Sequence, residues 1–177
     1  PDALRCYVPA GLVKQIEAKT STQLANTLNN LSVGTMRRNY RIAVGVTQEY
    51  TNTANLGGGS QDSSLMSVMT WVNLLNGIFN REVSMHFTLV NNNRNIIFTA
   101  EPDGYTNSST TTLLDENGRI VRNMIGSANY DVAHVLAMGS PSGLAVGAAC
   151  TNEDAGATSD TKAQGASAIN GPVGNVA

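Results

Sequence analysis

Apolar residues run almost without a break through Tyr40, Ile42, Ala43, Val44 and Val46. Such a run predicts a strand over residues 40–46 that is covered on both faces and therefore central in its sheet. Gly57, Gly58 and Gly59 then break the chain, and Ser60 or Asp62 is placed to cap a helix behind them. Within that helix Leu65, Val68, Val72, Leu75 and Phe79 fall on one apolar stripe, which Met69, Trp71 and Ile78 widen. Alternation through Met85, Phe87 and Leu89 predicts a second strand over residues 85–89. Asn91, Asn92 and Asn93 make a turn, and residues 95–99 return as a third strand. A polar loop over residues 101–109 leads to a second helix over 111–125, stopped by Gly126. Residues 131–136 read as another strand, residues 143–149 as a short one with little side-chain bulk, and residues 162–169 as a last one. Strands alternating with two helices predict an α/β fold: a twisted mixed sheet of about five strands with two long helices packed on it.

Ahead of this domain, residues 1–36 read as a leader or linker. Pro9 disfavours helix at Val8, and Leu12, Val13, Ile16, Leu24, Leu28 and Leu31 recur at loosely helical spacing. The chain begins at Pro1 with no initiator Met and no signal peptide, which predicts a numbering that starts inside a longer precursor.

Composition narrows the class. Charged residues are only 14% of the 177, and 11 basic against 13 acidic residues leave a net charge of -2. A broad cationic footprint for nucleic acid or anionic lipid is thereby excluded. Aromatic residues, at 5%, are too few for a base-stacking surface. No apolar run is long enough for a membrane span. The low-charge, Asn- and Thr-rich surface suits an exported bacterial protein. Two cysteines, Cys6 and Cys150, define no disulfide framework.

The order of several short segments carries more. Tyr40-Arg41-Ile42-Ala43 is followed by Thr47-Gln48-Glu49-Tyr50, then by Val72-Asn73-Leu74-Leu75-Asn76-Gly77-Ile78-Phe79 and Asp103-Gly104-Tyr105-Thr106-Asn107. Next come Ile125-Gly126-Ser127-Ala128-Asn129-Tyr130-Asp131-Val132, His134-Val135 and Gly143-Leu144-Ala145-Val146. In this order they resemble the bacterial reprolysin-like zinc metallopeptidases of the metzincin clan, over the N-terminal part of the catalytic domain. The resemblance implies a metzincin N-terminal subdomain over residues 37–177, a propeptide-like segment over 1–36, and a secreted zinc endopeptidase as the parent protein.

In that family the next element carries His-Glu-x-x-His-x-x-Gly-x-x-His, three zinc ligands and a glutamate base. This sequence has only His86 and His134, so by resemblance it stops short of the zinc helix and lacks the C-terminal subdomain. No catalytic residue is then expected in the chain, and the underside of its sheet is expected to be open. What it would contribute is the edge strand Gly143, Leu144, Ala145, Val146 and Gly147, on which metzincins lay a peptide substrate as an extra strand. Arg5-Cys6-Tyr7-Val8-Pro9 resembles the cysteine switch of metzincin propeptides, which makes Cys6 a candidate latency ligand for zinc. The family has Gly where Tyr7 stands, and a Cys6–Cys150 disulfide or a plain buried thiol are the alternatives. Cys150 matches a position that usually pairs with a downstream cysteine, absent here.

His86 and His134, each alone on a strand, read as hydrogen-bonded structural residues rather than ligands. Glu49, Glu101, Asp103, Asp115, Glu116, Glu153 and Asp154 form no calcium-loop motif and read as solvated carboxylates. The rival to a protease is a non-catalytic secreted binding or adhesion module on the same scaffold. A nucleotide-binding domain is opposed by the lack of a Gly-Lys-Ser/Thr after the triple glycine.

Overall fold

The computed structural model describes residues 36–107, 109–139, 142–147, 149–151 and 157–169. Cys6 and the rest of residues 1–35, together with Glu153 and Asp154, lie outside them. Strand β1 (Arg38–Val46) is followed by a short helix α1 (Gln48–Asn52) and a long helix α2 (Gln61–Val83). Then come β2 (Met85–Leu89), helix α3 (Thr110–Ile125), β3 (Val132–Met138), β4 (Ser142–Ala145) and β5 (Gly165–Ile169). The sheet runs β2-β1-β3-β5-β4, parallel except for β4, which lies antiparallel to β5 at one edge. This is the α/β fold with a five-stranded mixed sheet and two long helices that the periodicity predicts.

The central strand splits its residues between two layers. Ile42, Val44 and Val46 pack with Val68 and Val72 of α2, together with Leu136 of β3. Ala43 and Ala133 turn the other way, against Val121 and Ile125 of α3. That second face is made of small residues, and Gly45 is the tightest point. A Cβ there would lie 2.6 Å from Tyr105 Oη and 3.0 Å from Asn117 Oδ1. Tyr105 donates to Asn117 Oδ1 at 2.9 Å, and Asn117 Nδ2 donates to the Ala163 carbonyl at 2.5 Å. Burial, then the nearby Asp103 and Glu116, holds the Tyr105 hydroxyl well above the usual phenol range.

The helices start and stop where the sequence signals them. Ser60 caps α2 in a reciprocal capping box with Ser63, and Ser84 closes it in the left-handed conformation at φ 54°. Ser109 caps α3, and Gly126, at φ 86°, ends it. The stripe on α2 is narrower than its apolar content predicts. Ser64, Val68, Val72 and Asn76 are buried, whereas Met69, Trp71 and Ile78 are exposed. The helix covers only part of its face of the sheet, so residues flanking the contact line have nothing to pack on.

The expected strand over 95–99 is the second difference. Residues Asn93–Ile96 form a 3-10 turn, and only Ile97 bridges β1, at Val46. The place of a ladder partner is taken by one side chain. Asn93 accepts from Val44 N–H at 2.7 Å and donates to Val44 C=O at 3.0 Å, copying a strand's amide pair beyond the end of β2. Asn76 does the same at the outer edge of β2, bonding Phe87 N–H at 2.7 Å and Phe87 C=O at 2.8 Å.

Because Asn93 is 1% exposed, Asn93→Ala leaves a buried N–H and a buried C=O of β1 unpaired. Urea unfolding is expected to show a loss of about 3 kcal/mol. An unchanged midpoint would mean that water replaces the amide.

Candidate substrate cleft

β4 is the outermost strand, and all four of its residues are exposed. Its backbone directions follow from the register. Ser142 lies opposite Ala168 and Leu144 opposite Ala166, and Val146 N–H donates to the Gln164 carbonyl at 2.8 Å. In an antiparallel ladder, hydrogen-bonded and non-bonded pairs alternate. Ser142, Leu144 and Val146 therefore turn their amides toward β5, while Gly143 and Ala145 turn theirs outward. The expected edge-strand residues Gly143, Leu144, Ala145, Val146 and Gly147 thus sit together at the sheet margin, with regular strand ending at Ala145 rather than running to 149. Gly147 has φ 89°, and a Cβ on it would lie 2.5 Å from the Thr161 carbonyl, so the bend that ends this margin requires glycine.

The two edges of the sheet are treated differently. Asn76 occupies the outward amide and carbonyl of Phe87, which blunts the β2 edge. No such side chain fills the outward positions of β4 among the described residues.

Beneath β4, on the α2 side of the sheet, lies an open groove of about 650 Å³. Ile42, Val132 and Leu136 form part of its floor, and Trp71 and Leu75 of α2 one wall. Trp71 is held in place by a bond from its Nε1 to Tyr50 Oη at 3.3 Å. The groove is where α2 leaves β3 and β5 uncovered.

His134 lines this groove from β3. Its Nε2 is 2.9 Å from Ser167 Oγ of β5, and a Cβ on Gly165 would fall 2.7 Å from its Nδ1, so the ring takes the space that a side chain at Gly165 would need. Burial pushes its pKa down to about 4. The ring is therefore neutral at physiological pH, and its hydrogen bond ties β3 to β5. His86 lies on β2, with Nδ1 3.3 Å from Asn80 Nδ2. Both histidines are hydrogen-bonded, as the sequence predicts. They pair opposite Val44 and Asn39, on either side of β1. They do not meet, and no zinc-ligating set of histidine or cysteine converges among the described residues. Cys150 is exposed and unpaired among those residues, its N–H on the Asp131 carbonyl. The side chains of the described residues do not fit a zinc site.

A buried polar clamp sets the approach to β5. Asp160 is fully buried and accepts from Tyr130 Oη and Arg122. Lys162 donates to the Ser127 carbonyl at 2.6 Å and lies 4.7 Å above the Tyr130 ring. Burial alone would raise the Asp160 pKa; hydrogen bonds from Ser127, Tyr130 and Arg122 outweigh it and leave the group below its ordinary value. Asp131 is lowered mainly by the Arg41 guanidinium, bonded at 2.7 Å.

The acidic residues of the sequence divide as well. Asp115 takes a bond from Gln164, and Glu116 is buried and accepts from Thr106 N–H. Glu49, Glu101 and Asp103 come together, which no local motif signals because they lie on two distant segments.

A family model described as Metallo-peptidase family M12B Reprolysin-like matches residues 36–174 of the chain. No curated protein matches it.

The burial of neutral His134 has a consequence for stability. With the folded pKa at about 4 against an ordinary 6.5, the unfolded chain binds the extra proton between those values. Stability is full above pH 6.5, falls as pH drops through the window, and levels off below about 4. The loss should approach about 3 kcal/mol. Asp160 and Asp131 are lowered from 3.8, so their contributions fade only at more acid pH. Urea midpoints across the window should fall for the wild type and stay flat for His134→Gln; parallel curves would contradict this.

Proposed function

As the chain belongs to the reprolysin-like M12B metallopeptidase family, we propose that it supplies the substrate-holding half of a secreted, zinc-dependent endopeptidase. The observation that carries this reading is the open β4 edge. Outward amides and carbonyls at Gly143 and Ala145, with small side chains around them, suit an extended peptide that adds as an antiparallel strand. Main-chain bonds of this kind hold many sequences alike, which is what an endopeptidase needs. The apolar groove below the edge offers room for substrate side chains and for the half of the enzyme that carries the chemistry.

In this reading the zinc and its ligands belong to a C-terminal subdomain outside this chain, and hydrolysis happens only when that subdomain is joined to it. Cys6 would hold the precursor latent as a zinc ligand. Secretion is supported by the low charge and the Asn- and Thr-rich composition.

The test uses an edge substitution that spares the fold. Ala145→Pro removes one outward N–H and no bond to β5, and edge strands accept proline where the N–H faces solvent. In the zinc-loaded parent enzyme, kcat/KM for an unstructured peptide is expected to fall about tenfold, the equivalent of one lost main-chain bond, with an unchanged Tm. An unaltered kcat/KM would remove β4 from the substrate site.

A further inference from the structure

Strand β4 has two faces as well as an edge, and the faces differ. Gly143 and Ala145 line the groove with almost no side chain. Gly143 stands opposite Ser167, whose Oγ lies 3.7 Å from where a Cβ on Gly143 would be. Leu144, between the two, points to the other face by the alternation of a strand. Its partner across the ladder, Ala166, packs on that face with Leu113 and Leu114 of α3. Leu144 is the one large apolar side chain that β4 carries, and it is 41% exposed. Ala166 beside it is too small to cover it. Polar side chains of the same margin are already engaged with one another. Ser142 bonds Thr110 of α3, and Gln164 donates to Asp115 at 3.0 Å.

The register fixes which part of an added strand meets Leu144. Gly143 and Ala145 turn their amides outward, so each makes a hydrogen-bonded pair with an antiparallel peptide, at peptide residues two apart. The peptide residue between them faces Leu144 in a non-hydrogen-bonded pair. There Cα atoms come within about 4.5 Å, and side chains approach most closely. Its side chain lies on the α3 side, while those of its two neighbours turn to the groove face.

From this we propose that Leu144 is a specificity-determining residue of the β4 edge and selects an aliphatic side chain at the one substrate position opposite it. This rests on the reading of β4 as the substrate edge. Covering Leu144 removes apolar surface from water, a gain that only an apolar partner completes. A charged side chain there gives up hydration against Leu144 and finds no counter-charge on β4. Aliphatic and β-branched residues also suit the pleated, half-buried position. The two flanking substrate positions face Gly143 and Ala145, whose own side chains are too small to select.

The experiment uses the zinc-loaded parent enzyme and unstructured peptides in which each position in turn is Ile, Ala, Lys or Glu. In the wild type the position opposite Leu144 is expected to favour Ile over Ala by about threefold in kcat/KM, with Lys and Glu below both. Leu144→Glu identifies that position by turning its preference to Lys, while every other position keeps its order. Should Leu144→Glu fail to fold, Leu144→Ala replaces it and is expected to flatten the Ile preference at one position alone. If Ala145→Pro lowers kcat/KM but no Leu144 substitution changes the preference at any position, the role of Leu144 is overturned and β4 remains the substrate edge. If neither Ala145→Pro nor the Leu144 substitutions have any effect, both readings fall.

Discussion

The Tyr105 hydroxyl stands where a side chain on Gly45 would have to go, and it is pinned there by Asn117 of α3. Much of the architecture depends on this close approach. Because β1 presents Ala43 and Gly45 to that side, α3 and the loop before it press directly onto the sheet. The bulkier Ile42, Val44 and Val46 are left to the opposite face. There α2 lies over β1 and β2 and stops. The small-residue face is closed, and the large-residue face stays open beneath β3, β5 and β4.

That asymmetry leaves the two margins of the sheet unlike. One sheet edge is sealed by Asn76, which bonds the outward backbone of Phe87, while the other edge keeps Gly143 and Ala145 facing outward above an apolar groove. His134 and Ser167 hold β3 and β5 in register across the groove floor, and the Asp160–Tyr130–Arg122 clamp fixes the chain that enters β5. The unpaired strand edge and the uncovered apolar floor beside it are what support the proposal of a substrate-holding half.

The strands and helices were legible where periodicity matched burial. The continuous apolar run of β1 predicts a strand covered on both faces, and the caps Ser60 and Gly126 fix helix ends. Residues 95–99 misled because Ile96, Ile97 and Phe98 have strand character; the tertiary partner that displaces them from the ladder is the Asn93 amide, which no period reveals. Met69, Trp71 and Ile78 misled for the reverse reason: apolar content says nothing of how far the sheet extends beneath a helix. The strand at Gly143–Ala145 was legible from its pattern, but its place at the sheet edge only through family resemblance, since the direction of its backbone groups leaves no side-chain signal. The acidic cluster was not legible, because the fold alone brings Glu49 to Glu101 and Asp103.

The most direct measurement is the intact mass and zinc content of the product of the complete gene. The account predicts a polypeptide longer than these 177 residues, carrying stoichiometric zinc and cleaving an unstructured protein until a zinc chelator is added. An unprocessed product that ends at Ala177, binds no zinc and cleaves nothing would contradict it, and would leave a peptide-binding or adhesion module built on the peptidase scaffold.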